Sequence, residues 1–439
     1  MAARVSPANL VPPHFRRSLA TISMLGAATG AGALIGFLTQ TLLARELGPS
    51  AYGLFASSVV TVTMIAPLAG FGLTQFRLKV YGVEGWAAHR WIKPSLRFTI
   101  FTTFLAFAIV VGWALTGAPH NGTRFTLLVL TPLILSALAS DLVGNKLRLE
   151  DRYQYMAVWQ LFVPGSRLLV AVFLLLVPHL TNRFVAIGYS VTALLVTLRA
   201  VPQMRALLHD DIALKGHGPR VILPDDVVDT PSMGQLWSDA WAYGVVAVLY
   251  PVFFQISTVL LKYLTNDTQA GLYGIGLSVM TAIYLIPVTI YQKFLLAKLH
   301  RWSAHDKPKF WMVYRKGNLG MLALGLLIGI ALVVSTPWVV PIVFGEAYRP
   351  VIQILMLLAI CVPIRFLSVS MGSVLLTEDH MRFRVYAMGL AAAVVIGMNL
   401  LLIPRFSAMG AAGATLMGEC VLLLVTYYCV QRFVKPNRA

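Results

Sequence analysis

Arg167 and Arg365 each lie near the middle of a long apolar run, where ionisable side chains are rare. An arginine at the centre of a bilayer costs about 2.5–3.5 kcal/mol even on the most lenient insertion scale, so it faces a polar interior and not lipid. Helical spacing shows what accompanies each one. Gln160, Pro164, Arg167 and Ala171 fall on one stripe, and Cys361, Arg365, Ser368 and Gly372 repeat the same spacing. Pro164 and Pro363 sit within three residues of the arginines, and a proline inside such a run frees carbonyls that must line a cavity or find new partners. Two kinds of chemistry fit these stripes. The arginines line a polar cavity as fixed cations, or they bond carbonyls and acidic neighbours purely to fix helix packing. One arginine in each half of the chain weighs toward the cavity.

Two carboxylates are candidates for ion coupling. Glu419 lies in the middle of another apolar run with Ala412, Thr415 and Thr426 on its stripe. A carboxylate at that depth is either a proton relay or the partner of an arginine such as Arg365, and the sequence leaves the two readings equal. Asp141 stands near Lys146 and Arg148 at the end of its run, which favours an interfacial position. Gly26, Thr29, Ala33, Gly36 and Gln40 share one face of the first run; small residues there suit close packing, while Gln40 suits a cavity wall. The candidate substrate-binding set is therefore Arg167, Arg365, Gln40, Gln160 and Ser368. No metal site or cofactor is expected. Cys361, Cys420 and Cys429 all lie in apolar runs, His209 and His217 have no organised partners, and no glycine-rich phosphate loop or catalytic constellation is present.

The elements that must hold these residues follow from composition. Of 439 residues, 58% are hydrophobic and 12% charged, against about 25% charged in an ordinary soluble domain. Such a chain satisfies its backbone as a bundle of membrane helices, an all-α polytopic protein. Twelve runs are long enough to span, at 18–43, 51–74, 95–117, 124–144, 156–178, 183–204, 240–262, 270–292, 317–337, 350–376, 385–404 and 408–430. With the N-terminus inside, 27 of the 35 Lys and Arg fall in cytoplasmic segments and 6 outside, as the positive-inside rule requires when both termini are cytoplasmic. The net charge of +18 thus reads as orientation, not nucleic-acid binding.

A polar, proline-punctuated stretch divides the chain into an N-terminal six-helix lobe at 1–204, a cytoplasmic linker at 205–239 and a C-terminal six-helix lobe at 240–439. The halves share features. Ala51-Tyr52-Gly53-Leu54-Phe55 is echoed by Gln269-Ala270-Gly271-Leu272-Tyr273 at an offset of 218, and Pro67 by Pro287. An internal repeat of this kind is common in transporters.

The segment Leu43-Ala44-Arg45-Glu46-Leu47-Gly48-Pro49-Ser50-Ala51-Tyr52-Gly53 resembles the opening signature of the Wzx-type polysaccharide flippases of the multidrug/oligosaccharidyl-lipid/polysaccharide (MOP) exporter superfamily. Ala270-Gly271-Leu272-Tyr273, Phe344-Gly345-Glu346-Ala347-Tyr348 and Gly410-Ala411-Ala412-Gly413-Ala414-Thr415 follow in the same order. The resemblance implies a V-shaped pair of six-helix lobes around a cationic cavity in the bacterial inner membrane. It also implies alternating access and a polyprenyl-diphosphate-linked oligosaccharide as cargo, without catalysis. A polysaccharide polymerase and a chain-length regulator are its candidate partners. The rivals are a drug or metabolite antiporter of the related MATE branch and an envelope glycosyltransferase or polymerase, which the short outer loops disfavour. The topology has a direct test: cysteines at Lys215 and Arg438 should label only from the cytoplasm and one at Asn121 only from outside, and labelling of Lys215 and Asn121 from the same side would overturn the span assignment.

Overall fold

The computed structural model describes residues 13–177, 181–209, 211–215, 230–295, 299, 306–376 and 381–434. Among them there is no β-strand. The long helices are α1 Pro13–Ile65, α2 Leu73–Glu84, α3 Ile92–Thr116, α4 Asn121–Val129, α5 Pro132–Leu149, α6 Tyr153–Leu176 and α7 Asn182–Leu208, followed by α8 Met233–Leu264, α9 Asp267–Val288, α10 Lys307–Phe344, α11 Val351–Ala359, α12 Cys361–Gly372 and α13 Met381–Cys429. Eight helical stretches are long and apolar enough to cross a membrane, or nine if α11 and α12, bent by 41°, form one span. The protein is a multi-pass membrane protein. Its lipid-facing surface carries bare hydrophobic side chains such as Phe104, Leu169, Leu176 and Ile342, which in water would be a large exposed apolar area.

Local chemistry explains where the helices start and bend. His120 caps α4 by accepting from the Thr123 amide, Asn266 caps α9 through Gln269, and Ser232 forms a reciprocal capping box with Gln235 at the start of α8. α1 holds two of the sequence runs. It breaks at Gly48, whose φ of 71° lies in the left-handed region that a glycine adopts without strain. α13 likewise holds two runs and breaks at Ser407, with φ 48°. The repeated prolines mark equivalent distortions: Pro67 sits in a 3₁₀ turn that ends α1, and Pro287 precedes a π-helical turn at the end of α9. In both places the ring removes a backbone donor that a regular helix requires.

Each run read from the sequence falls on described helix over most of its length, although the helices number eight or nine continuous spans and not twelve, and the linker differs at its edges. α7 continues to Leu208 and α8 begins at Met233, so helix extends into 205–239 from both sides. Residues 216–229 lie outside the described ones. Residues 211–215 are extended, with Ile212 and Leu214 buried against Leu149, Leu207 and Leu236. This part of the linker is packed, not merely solvated.

The two halves of the chain meet along α1, α8 and α9. At one end the repeated signatures pack directly on each other. A Cβ at Gly53 would overlap the Asp267 carbonyl, and one at Gly271 would overlap the Pro49 carbonyl. Tyr348 donates to the Ala44 carbonyl at 2.9 Å, and Lys262, 2% exposed at its side chain, reaches Asp267 at 3.4 Å and the Ser58 hydroxyl at 3.4 Å. Asp267 also pairs with His120 at 3.1 Å. At the opposite end Phe71 stacks on Trp237 at 5.5 Å, joining the approach to α2 with α8. Contacts therefore join the two halves at both ends of the seam. Gly53→Val should therefore force open the end that holds Asp267: in a background lacking native cysteines, Thr63→Cys should label several-fold faster with an impermeant maleimide added from that side. Gly274→Val, where a Cβ meets nothing within 4 Å, should leave labelling unchanged. Equal rates in the two variants would show that the glycine contact does not hold the seam.

Candidate functional site

Between those contacts each half contains a polar cavity. In the N-terminal half a cavity of about 440 Å³ is lined by α5 and α6, with contributions from α1 and α2. Gln160, Arg167 and Asp141 all line it, joined by Arg148, Gln75 and Ser140. The Arg167 guanidinium lies over the Tyr189 ring at 5.1 Å, a cation–π contact that orients it without neutralising it. Gln160 accepts from the Thr29 hydroxyl at 3.2 Å, which ties α6 to the first part of α1. Asp141 is exposed to this cavity.

In the C-terminal half a cavity of about 250 Å³ is lined by Arg365, Ser368 and Gly372 of α12, Arg384 and Thr426 of α13, Gln255 of α8 and Tyr284 of α9. Arg365 and Glu419 form an ion pair at 3.5 Å, with side chains only 7% and 0% exposed. The pair is incompletely satisfied: neither Glu419 oxygen accepts a hydrogen bond, and Arg365 Nη2 donates none. Aromatic rings supply the rest of the guanidinium's surroundings, with Phe254 at 4.1 Å, Tyr284 at 5.3 Å and Phe253 at 5.7 Å from its centre. Arg365 is thus at once the partner of Glu419 and a cavity wall. The two readings of Arg365 are not exclusive, and Glu419 stands behind it without itself lining the cavity.

The cavities meet at one contact. Thr63, from the N-terminal cavity, donates to the Gln255 amide oxygen of the C-terminal one at 3.4 Å. On either side of this bond stand two arginines and one carboxylate, Arg148, Arg167 and Asp141 in one half and Arg365, Arg384 and Glu419 in the other. Gln40 is placed elsewhere. It accepts from Tyr52 at 2.8 Å near the break in α1 and lines neither cavity. Arg148 and Arg384 carry no signal of depth in the sequence, since each lies at a run's end among other basic residues. Gln255 and Thr63 were legible only as polar residues in apolar runs. Among the described residues no three His, Cys, Asp or Glu side chains come together as a metal site.

The same arrangement of helices occurs in solved transporters. The lipid II flippase MurJ in an inward closed conformation superposes with a TM-score of 0.69 at 11% identity, over 93% of this chain and 87% of that one. A multidrug-resistance MATE transporter of the MOP superfamily, inward-facing, gives 0.65 at 12% identity over 91% and 94%, and the eukaryotic MATE transporter AtDTX14 gives 0.61 at 15% over 95% and 96%. The chain shares the fold of these transporters. No curated protein matches the chain significantly. Residues 18–295 match the model of the family described as polysaccharide biosynthesis protein, and the chain belongs to that family.

The buried pair has a measurable consequence. Removing one member of a buried ion pair leaves the other charge uncompensated, at a cost of about 3–5 kcal/mol, whereas replacing both is often neutral. Arg365→Met should lower the thermal midpoint of the detergent-solubilised protein, and Arg365→Met with Glu419→Leu should recover most of the loss. A single variant as stable as wild type would mean that the pair does not hold α12 against α13.

Proposed function

We propose that this protein is a flippase for a polyprenyl-diphosphate-linked oligosaccharide, carrying its head group from the cytoplasmic to the outer leaflet of the bacterial inner membrane for cell-surface polysaccharide synthesis. The observation that carries the reading is the pair of arginine-lined cavities, one in each half, adjoining at Thr63 and Gln255. A guanidinium bonds phosphate oxygens in a fork geometry that an ammonium does not reproduce. Arginines outnumber carboxylates two to one in each group of charges, which suits a diphosphate and repels the organic cations that a drug antiporter would carry. Membership of a polysaccharide biosynthesis family supports a glycan cargo.

The mechanism follows from the seam. Two six-helix lobes rock about α1, α8 and α9 so that one closed end opens at a time, with both chain termini cytoplasmic. The diphosphate is held by Arg167 and Arg148, then by Arg365 and Arg384, while the glycan occupies the polar space and the polyprenyl tail stays in lipid. Gln160 and Ser368 supply hydrogen bonds to the head group, and Gln40 acts at the outer closure through Tyr52. When phosphate engages Arg365, Glu419 loses its only ion partner among the described residues, and proton uptake there would couple transport to an ion gradient. Asp141, which lines the N-terminal cavity with Arg167 and Arg148, is the second candidate for ion coupling. No bond is made or broken in this cycle, and a polymerase with its chain-length regulator would consume the product.

In liposomes, the purified protein should move lipid-linked oligosaccharide between leaflets without changing its mass. Loss of one charge-assisted contact costs about 1.5–3 kcal/mol, so Arg167→Ala and Arg384→Ala should each lower transport per folded molecule by roughly ten- to hundredfold, with partial rescue by lysine. Normal transport per folded molecule in both alanine variants would refute the diphosphate clamp, and a lengthened glycan in the vesicles would favour an enzyme.

A further inference from the structure

Another arginine is buried away from both cavities. Arg77, on the second turn of α2, is 4% exposed, and its Nε has no hydrogen-bond partner. No acidic side chain among the described residues pairs with it. Tyr81 is an electrostatic neighbour of Arg77 but not an acidic one, and a guanidinium without an anionic partner in largely apolar surroundings is strongly disfavoured. Its side chain lies at the wall of a groove of about 580 Å³ that is otherwise almost wholly hydrocarbon, formed by Ile100 and Phe104 of α3, Leu138 and Leu142 of α5, and Leu207 of α7. Ile100 and Phe104 are well exposed on the lipid side. Further cations flank the groove at the same end, because Arg97 and Arg205 are exposed one helical turn from Ile100 and Leu208. An apolar channel beside a buried cation, open to lipid and fringed with positive charge, matches one kind of molecule.

We propose that this groove is a binding site for an anionic phospholipid, with its phosphate on Arg77 and an acyl chain lying between α3, α5 and α7. α5 separates it from the transport path: Asp141, Gly144 and Ser140 face the N-terminal cavity, while Leu138 and Leu142 face the groove. The occupant is therefore a resident lipid and not the tail of a molecule held in that cavity. An anionic headgroup is favoured over a zwitterionic one because the latter carries its own ammonium against the phosphate, whereas Arg77, Arg97 and Arg205 present only positive charge.

Native mass spectrometry of the full-length protein, exchanged into equimolar phosphatidylglycerol and phosphatidylcholine, tests the site. Wild type should retain one phosphatidylglycerol under activation that strips phosphatidylcholine. Arg77→Gln should reduce that retention roughly tenfold, the expected effect of losing one charge-assisted contact. Thr103→Trp, which fills the groove from α3 and leaves Arg77 intact, should reduce it as well. Unchanged phosphatidylglycerol retention in both variants would overturn the proposal. Added polyprenyl phosphate should not displace the lipid; displacement that depends on Arg77 would assign the groove to the polyprenyl chain and overturn it too.

Discussion

A guanidinium inside a membrane has to be enclosed, and the architecture of this protein is organised around that requirement. Arg365 is enclosed by a carboxylate at 3.5 Å and three aromatic rings, Arg167 by a tyrosine face and the polar walls of its cavity. These surroundings come from three other helices of the C-terminal half, so α8, α9 and α13 must all pack against α12 before Arg365 is enclosed. Since a half-satisfied buried charge is worse than none, the cost of leaving the bundle unassembled reinforces its packing. The unsatisfied Nη2 of Arg365 and oxygens of Glu419 are what remains of that cost.

The second constraint is closeness. Membrane helices gain little from hydrophobic transfer, and packing contacts and small residues decide where they touch. Gly53 and Gly271 allow α1 and α9 to approach backbone to backbone, and around that point are gathered the polar contacts of Tyr348, Lys262 and His120. The repeated sequence motif is thus the contact surface between the halves. Its two copies meet each other, which explains why a loose glycine-containing signature recurs where strong chemistry is absent. The contact of Thr63 with Gln255 lies further along the same seam, between that point and the Phe71–Trp237 stack.

Much was legible in the linear chain because the membrane imposes simple rules. Apolar runs of spanning length, the asymmetry of basic residues and the depth of Arg167, Arg365 and Glu419 all follow from the cost of placing backbone and charge in hydrocarbon. The stripe containing Gln160 and Arg167 and that containing Arg365, Ser368 and Gly372 each line a cavity, because helical periodicity alone fixes which residues share a face. The stripe members Ala171 and Cys361 are buried against other helices instead, since the face is wider than the cavity it borders.

What the tertiary structure decided was which helix each face meets. Glu419 could be read as relay or partner until α12 and α13 were seen to place Arg365 beside it, and Gln40 shared a face with Thr29 until Tyr52 claimed it near the break at Gly48. Arg148 and Arg384 look like ordinary flanking charges in one dimension, and Arg77 like one more inner-loop cation. Which of them helices close over, as they do over Arg77, depends on tertiary packing, and no period in the sequence encodes it. Insertion cost is a property of each residue and its immediate run, so the sequence alone determined the class and the intramembrane charges. Pairing and enclosure are properties of contacts between different helices, as far apart in the chain as Thr63 and Gln255, and only the folded bundle brings them together.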